Sequence, residues 1–232
     1  MVRGAALLAL TASMTCHAAS FMATPVKLTV PPGANSTSLS LQNTADQPVL
    51  VQAEVAAWTQ RGGEDVLTPS QDLVVSPPIF TVAPGSSQIV RIGLMKRPQS
   101  TSEVTYRLFL QEVPKPPPPG EQGVSVALRL GLPVFVLPKG GAAPKLSWSA
   151  RARQGAVELQ VTNGGTGHAQ IIECTLTAEN GKPVAERALA AYVLAGQTRT
   201  WIFKTQGAWS GGRLTLNAQT SAGPLSAQIV AQ

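Results

Sequence analysis

Two cysteines and two histidines are all that 232 residues supply, and that scarcity removes several kinds of function. Cys16 and His17 fall in a segment that reads as cleaved (below), so Cys174 is left alone and no intramolecular disulfide can form. Cys174 lies in the apolar run Ile171-Ile-Glu-Cys-Thr-Leu176 and reads as a small buried residue, not a reactive thiol. The one remaining histidine, His168, ends the turn-like Asn163-Gly-Gly-Thr-Gly-His168. With no carboxylate or cysteine pair near it in sequence there is no metal-ligand spacing, and it reads as a surface turn residue. Charged residues are only 13% of the chain. There is no Gly-x-Ser-x-Gly elbow and no P-loop. Asp46, Asp65 and Asp72 all lie in the first half, with nothing to mark a glycosidase acid pair. No enzyme, no metal and no cofactor is expected. The net charge of +6 is scattered, with no Lys/Arg block. That argues for mild attraction to anionic partners and against nucleic-acid binding.

Long apolar runs are also missing after the first residues. Met1-Val-Arg3 is a short positive region, Ala5 to Met14 is apolar and small, and Cys16-His-Ala18 with Ala19 is a small-residue cleavage site. Residues 1–19 therefore read as a signal peptide, too short to span a bilayer. Loss of Arg3 lowers the charge from +6 to +5. The expectation is an exported, soluble protein with no membrane insertion. About 213 residues remain, enough for two domains of about a hundred residues held together by core burial alone.

What is present in abundance is β pattern. Ser36–Leu41, Val49–Trp58, Gln88–Leu94, Val104–Val113, Val157–Val161, Gln170–Thr177, Thr198–Phe203 and Arg213–Ala218 are alternating or β-rich, and Gly, Pro, Asn and Asp separate them. This spacing predicts antiparallel sandwiches. Glu186–Leu194 is the best helical candidate, tightly bracketed by Gly181-Lys-Pro183 and Gly196. Leu137-Pro-Lys-Gly-Gly-Ala-Ala-Pro144 has linker composition. The map is then a first domain over 20–137, a linker over 138–144 and a second domain over 145–232. Pro114 to Gly123, with its proline run, reads as an extended loop.

The most informative stretch is Gly123 to Val136. Val124, Val126, Leu128, Leu130, Leu132, Val134 and Val136 share one parity, which predicts a strand roughly 45 Å long with one aliphatic face. Pro133 cannot donate to a ladder and points to an edge. Two readings stand: a buried central strand, or an edge kept for pairing with another chain.

A resemblance separates them. Phe21-Met-Ala-Thr-Pro-Val-Lys27, Ser38-Leu-Ser-Leu-Gln-Asn43, Ser76-Pro-Pro-Ile-Phe-Thr-Val-Ala-Pro-Gly85, Gln88-Ile-Val-Arg91, Thr105-Tyr-Arg-Leu-Phe-Leu-Gln-Glu-Val-Pro114 and Leu128-Arg-Leu-Gly-Leu-Pro-Val-Phe-Val136 occur in the order of the periplasmic pilus-assembly (PapD-like) chaperones. The wording is most similar to their archaic, Csu-like and spore-coat-U-associated branch. The resemblance covers the first domain almost end to end and the second more loosely. It implies an all-β chain of two immunoglobulin-like sandwiches set in an L. It also implies donor-strand complementation. Pilin subunits that lack a strand receive Val124, Val126, Leu128 and Leu130 of the donor strand before delivery to an outer-membrane usher. Lys27 stands where the family places a basic anchor for the subunit's terminal carboxylate. Pro133 stands where a second, lysine anchor would be, so Arg91, Arg107 and Arg129 are candidates to replace it, Arg91 first. Leu137 replaces an arginine of the family's interdomain ion pair, and the hinge is expected to rest on apolar contact. Whether the free chain self-associates is left open.

Two other readings stay beside this one. The chain could be an exported structural sandwich, itself a pilus or adhesin subunit, although it has residues for two complete domains. A sugar-binding protein would use Trp58, Trp148, Trp201 and Trp209, which sit instead in apolar strand patterns.

Overall fold

The structure, a computed structural model, describes residues 21–114, 126–207 and 209–231. All of its regular elements are strands. In chain order they are β1 (Phe21–Thr24), β2 (Leu28–Val30), β3 (Ser36–Asn43), β4 (Val49–Arg61), β5 (Glu64–Pro69), β6 (Leu73–Ser76), β7 (Ile79–Val82), β8 (Ser87–Leu94), β9 (Val104–Glu112), β10 (Arg129–Val136), β11 (Leu146–Arg153), β12 (Ala156–Asn163), β13 (Ala169–Ala178), β14 (Pro183–Val193), β15 (Thr198–Lys204), β16 (Gly212–Thr220) and β17 (Gly223–Ala231). The eight segments expected as strands all fall on strands. Glu186–Leu194 does not form a helix: it lies almost wholly in β14, paired along β13. Its alanine-rich helix propensity is a weak preference, and the available strand partner overrides it.

The first domain is a sandwich. One sheet runs β1-β3-β8-β6, the other β2-β10-β9-β4-β5 with β7 also paired to β4. Period-two alternation puts Leu39 and Leu41 of β3, Val90 and Ile92 of β8, Leu108 and Leu110 of β9 and Val134 of β10 into one core. The second domain is a single seven-stranded sheet, β14-β13-β16-β17-β11-β12-β15, curled around a second core of Val157, Leu159, Ile171, Cys174, Leu176 and Leu214. In β13 a bulge after Ile171 turns Ile172 out to solvent. The inward parity thus shifts, and Ile171 and Cys174, three residues apart, are both buried.

Each domain carries a buried asparagine at one corner. Asn43 Nδ2 donates to Gln47 O at 2.8 Å and Val82 O at 2.9 Å, and its Oδ1 accepts from Ala45 N at 2.8 Å. Asn163 Nδ2 donates to Gly167 O at 2.8 Å and Val193 O at 3.0 Å, and its Oδ1 accepts from Gly165 N at 3.0 Å. Only Asn163 also accepts from the residue that follows the linker, at Lys145 N, 3.0 Å away.

That linker is not a free spacer. Gly164 N donates to Lys145 O at 2.9 Å, and Thr166 N and Gly167 N donate to Ala143 O at 2.9 and 3.0 Å. Arg97 fastens the other end. Its guanidinium donates to Leu137 O at 3.2 Å, Pro31 O at 3.1 Å and Ala34 O. The close backbone approach lies at Ala143 and Lys145, whereas a Cβ on Gly140 or Gly141 would meet nothing within 4 Å.

Candidate functional site

The last strand of the first domain differs from the sequence expectation in length. β10 begins at Arg129, not at residue 123. Its partner β9 ends at Glu112, and Val113 N turns to Leu50 O at 2.9 Å. Among the described residues just ahead of Arg129, Leu128 keeps contact: Glu112 N donates to its O at 2.8 Å, and its N donates to Glu112 Oε2 at 3.3 Å. Val126 has no ladder to join and is 86% exposed. The single-parity row is real within β10. Leu132, Val134 and Val136 are buried in the first core, Leu130 and Leu128 are partly buried against it, and Val126 stands in solvent. Val124 lies outside the described residues.

Pro133 marks an open edge. β2 pairs only with Val134–Val136. Leu137 N donates to Val30 O, and alternation turns the nitrogens of Phe135, Pro133 and Gly131 to that same side. From Pro133 back to Arg129 no described strand lies there, and the Pro133 nitrogen carries no hydrogen to present.

The face of β10 opposite the core carries the cations. Pro133 pairs with Arg107 of β9, which pairs with Ala56 of β4. Lys27 immediately precedes Leu28, the partner of Val134, so it extends the same row beyond Pro133. Lys27 and Arg107 therefore flank Pro133, about two strand spacings or roughly 10 Å apart at their backbones. Lys27 is exposed. Arg107 is half-buried, with its guanidinium carbon 3.8 Å from the Trp58 ring centroid and 5.5 Å from that of Tyr192. No described residue accepts a hydrogen bond from it. Burial lowers its pKa, against the opposing fields of Asp65 and Tyr192. Trp58 is 1% exposed and its indole N–H meets no acceptor.

Arg129 lies four residues before Pro133 in β10, its guanidinium carbon 4.2 Å from the Phe109 ring centroid. Gly131, opposite Phe109, makes room for that ring: a Cβ there would sit 3.2 Å from Phe109 Cε1. Arg91 does not join this group. It stands between Ser38 and Ser76 on the outer face of the four-stranded sheet, across the first core from Arg107. The alternation that buries Val90 and Ile92 sends Arg91 outward.

The second domain closes over the Arg107 face. Phe135, Trp58 and Leu194 form a small buried cluster with Tyr192 packed on it. Tyr192 meets Trp58 edge-on at 5.3 Å. Gln60, 5% exposed, clamps the second domain's backbone. Its Nε2 donates to Tyr192 O at 2.9 Å and its Oε1 accepts from Leu194 N at 3.0 Å. Arg199 Nη1 donates to Tyr192 O at 3.1 Å and lies 3.7 Å from Asp65.

His168 is not a surface turn residue. Its ring stacks on Phe135 at 3.6 Å and 7°, and Nδ1 lies 2.8 Å from Oε1 of Glu103, whose side chain is 2% exposed. Glu103 is 65 residues away in sequence, which hides the pair from any local pattern. The hinge thus has the expected apolar contact, with a polar lock beside it. Among the described residues no group of three or more His, Cys, Asp or Glu side chains is arranged to hold a metal ion.

The profile of the pili and flagellar-assembly chaperones, PapD N-terminal domain, matches residues 20–142, more than half of the chain. The chain belongs to this family of pilus-assembly chaperones. The family's role is assembly chaperoning, not catalysis. Comparison with curated protein sequences gives no match. Among solved structures, the chaperone is similar to the CsuC–CsuE chaperone–tip adhesion subunit pre-assembly complex from the archaic Csu pili of Acinetobacter baumannii. The identity is 24%, the match covers 92% of this chain and 100% of that one, and the TM-score is 0.68. It is also similar to the SafA pilin–SafB chaperone complex of Salmonella enterica, at 19% identity, 91% and 97% coverage and a TM-score of 0.65. The CupB2 chaperone of Pseudomonas aeruginosa matches at 20% identity, 91% and 100% coverage and a TM-score of 0.59. At these identities the likeness is one of fold, and the fold is the two-domain all-β architecture of such chaperones.

Proposed function

We propose that this chaperone works in the periplasm, captures pilin subunits by lending them the open edge of β10, and passes them to an outer-membrane usher. In this reading residues 1–19 are the signal peptide, 20–137 the first domain with the donor strand, 138–144 the linker and 145–232 the second domain. The chain itself catalyses nothing. The carrying observation is the aliphatic row that climbs out of the first core, from buried Leu132 through half-buried Leu130 and Leu128 to exposed Val126, along an edge with no described strand beside it. An apolar row on an open edge invites strand addition. The occupant it suits is a sandwich short of one strand, with Val124, Val126, Leu128 and Leu130 filling its groove. The complexes of SafB with SafA and of CsuC with CsuE, proteins of similar fold, support this choice of partner over a role as a pilus subunit.

Lys27 and Arg107 then take the subunit's terminal carboxylate. Arg107 substitutes for the missing lysine at Pro133, because its half-buried donors have no acceptor among the described residues and a carboxylate supplies one. Arg129, stacked on Phe109, lies along the donor strand and steadies it, and Arg91 takes no part.

The test is co-expression with candidate exported pilin chains and recovery from periplasmic extracts. Each buried aliphatic contact contributes about 1.5–3 kcal/mol, so Val126→Asp and Leu128→Asp should abolish recovery with the free chaperone still folded by circular dichroism. Lys27→Glu should do the same, Lys27→Arg should retain binding, Arg107→Ala should weaken it, and Arg91→Ala is the neutral control. Undiminished recovery with both Asp variants would sink the donor-strand reading.

A further inference from the structure

We infer that Tyr192 of the second domain is a positioning residue of the carboxylate site, so that capture of a chain terminus depends on how the two domains dock. The inference rests on the reading that Arg107 receives that carboxylate. The two rings nearest the guanidinium come from different domains: Trp58 from β4 at 3.8 Å and Tyr192 from β14 at 5.5 Å. The rings stand at 84° to each other, so they hold the guanidinium from two adjacent sides and leave its remaining N–H groups for a carboxylate. Arginine has several rotatable bonds and loses much freedom on being held. With Trp58 alone beside it, the guanidinium swings away from the row it shares with Lys27.

Tyr192 is itself placed by the hinge. Its carbonyl accepts from Gln60 Nε2 and Arg199 Nη1, and the next-but-one amide, Leu194 N, donates back to Gln60. Its ring lies 5.9 Å from Phe135 and 5.7 Å from His168. Phe135 is in β10, the strand that carries the donor row, and His168 holds Glu103. The contacts that set the domain angle thus also set the second ring over Arg107. A subunit terminus is bound through a site that one domain cannot complete.

The experiment uses the full mature chain and one synthetic probe in two forms, an alternating valine–threonine peptide ending in a free carboxylate or in a carboxamide. The readout is the ratio of their affinities by titration calorimetry or fluorescence. In the wild type the carboxylate form should bind about tenfold more tightly or better, and Arg107→Met should cut that ratio by about threefold or more, with Lys27 holding the rest. Tyr192→Leu should cut the ratio by about threefold, no further than Arg107→Met does, while leaving carboxamide binding unchanged. Tyr192→Phe should restore it, because the ring and not the hydroxyl is required. A wild-type ratio of one overturns the anchor reading and the inference with it. A ratio that falls in Arg107→Met but not in Tyr192→Leu overturns only the inference. Loss in Tyr192→Phe as well would assign the effect to the phenol hydroxyl and equally overturn it.

Discussion

The corners at Asn43 and Asn163 are built alike, and what lies against each one separates them. Asn43 and the four residues after it read Asn-Thr-Ala-Asp-Gln, and Asn163 begins Asn-Gly-Gly-Thr-Gly. In both, the amide donates to the carbonyl four residues on and to a distant strand end, and the oxygen accepts from the nitrogen two residues on. Ala45 and Gly165 are therefore equivalent, as are Gln47 and Gly167. A Cβ on Gly165 would lie 2.3 Å from Ala143 O and 2.5 Å from Lys145 N, and one on Gly167 would lie 3.0 Å from the Ala142 carbonyl carbon. The first corner has side chains because the linker does not pass it. The second is glycine because the linker lies on it, and Glu103 N reaches its Thr166 O at 2.8 Å. One local device closes a sandwich in the first domain and docks two domains in the second.

Removing either asparagine tests whether the two corners are equivalent. Asn43→Ala and Asn163→Ala each leave buried backbone groups unpaired, and each should cost about 3 kcal/mol in urea unfolding. Only Asn163→Ala should also speed proteolysis between residues 138 and 144, since only Asn163 holds Lys145. Equal proteolysis in the two variants would mean that the linker is held elsewhere.

Swapping the corner residues sharpens the same contrast. Gly165→Ala forces a methyl against linker backbone and should destabilise by about 2 kcal/mol. Ala45→Gly should cost only about 0.5–1 kcal/mol, the backbone-entropy term. Near-equal melting temperatures for the two would show that the linker yields.

The hinge clamp comes next. Gln60→Leu leaves Leu194 N without its acceptor and should weaken docking by about 1–2 kcal/mol. We expect small-angle scattering to report a broader range of interdomain distances, with each domain's own unfolding midpoint unchanged. An unaltered scattering profile would leave the aromatic cluster and the Glu103–His168 pair as sufficient.

The smallest effect compares the two cores. Burial, then the Glu173 charge, pushes the Cys174 thiol up to about 12 from an ordinary 9.0. Burial, then Asp72, raises the Tyr106 phenol in the first core. Both groups hold their protons more tightly folded than unfolded. Their contribution is therefore complete below their unfolded pKa values and is lost as pH rises through them, at up to about 1.4 kcal/mol per pH unit for each group. Cys174→Ala should flatten the alkaline decline of the second domain only, and Tyr106→Phe that of the first. At pH 8 a thiol reagent should label Cys174 only after denaturant is added, and rapid labelling of the native protein would contradict its burial.

Much of this molecule is legible in its sequence. The period-two runs around Leu39–Leu41 or Val157–Val161 locate strands because a half-buried pleat demands alternation. The ordered motifs identify a pilus-assembly chaperone, and Pro133 announces an open edge because it has no hydrogen to donate. What could not be read depends on partners distant in the chain. Nothing local says that Arg107 rests against Trp58 and Tyr192 or that Arg91 faces the other way. Nothing local ties His168 to Glu103, or makes Gly165 a glycine for the sake of Ala143. Alternation assigns a side chain to a face, but register and domain docking decide what it meets there. Those follow from how two whole cores close together, and no short stretch of sequence contains both.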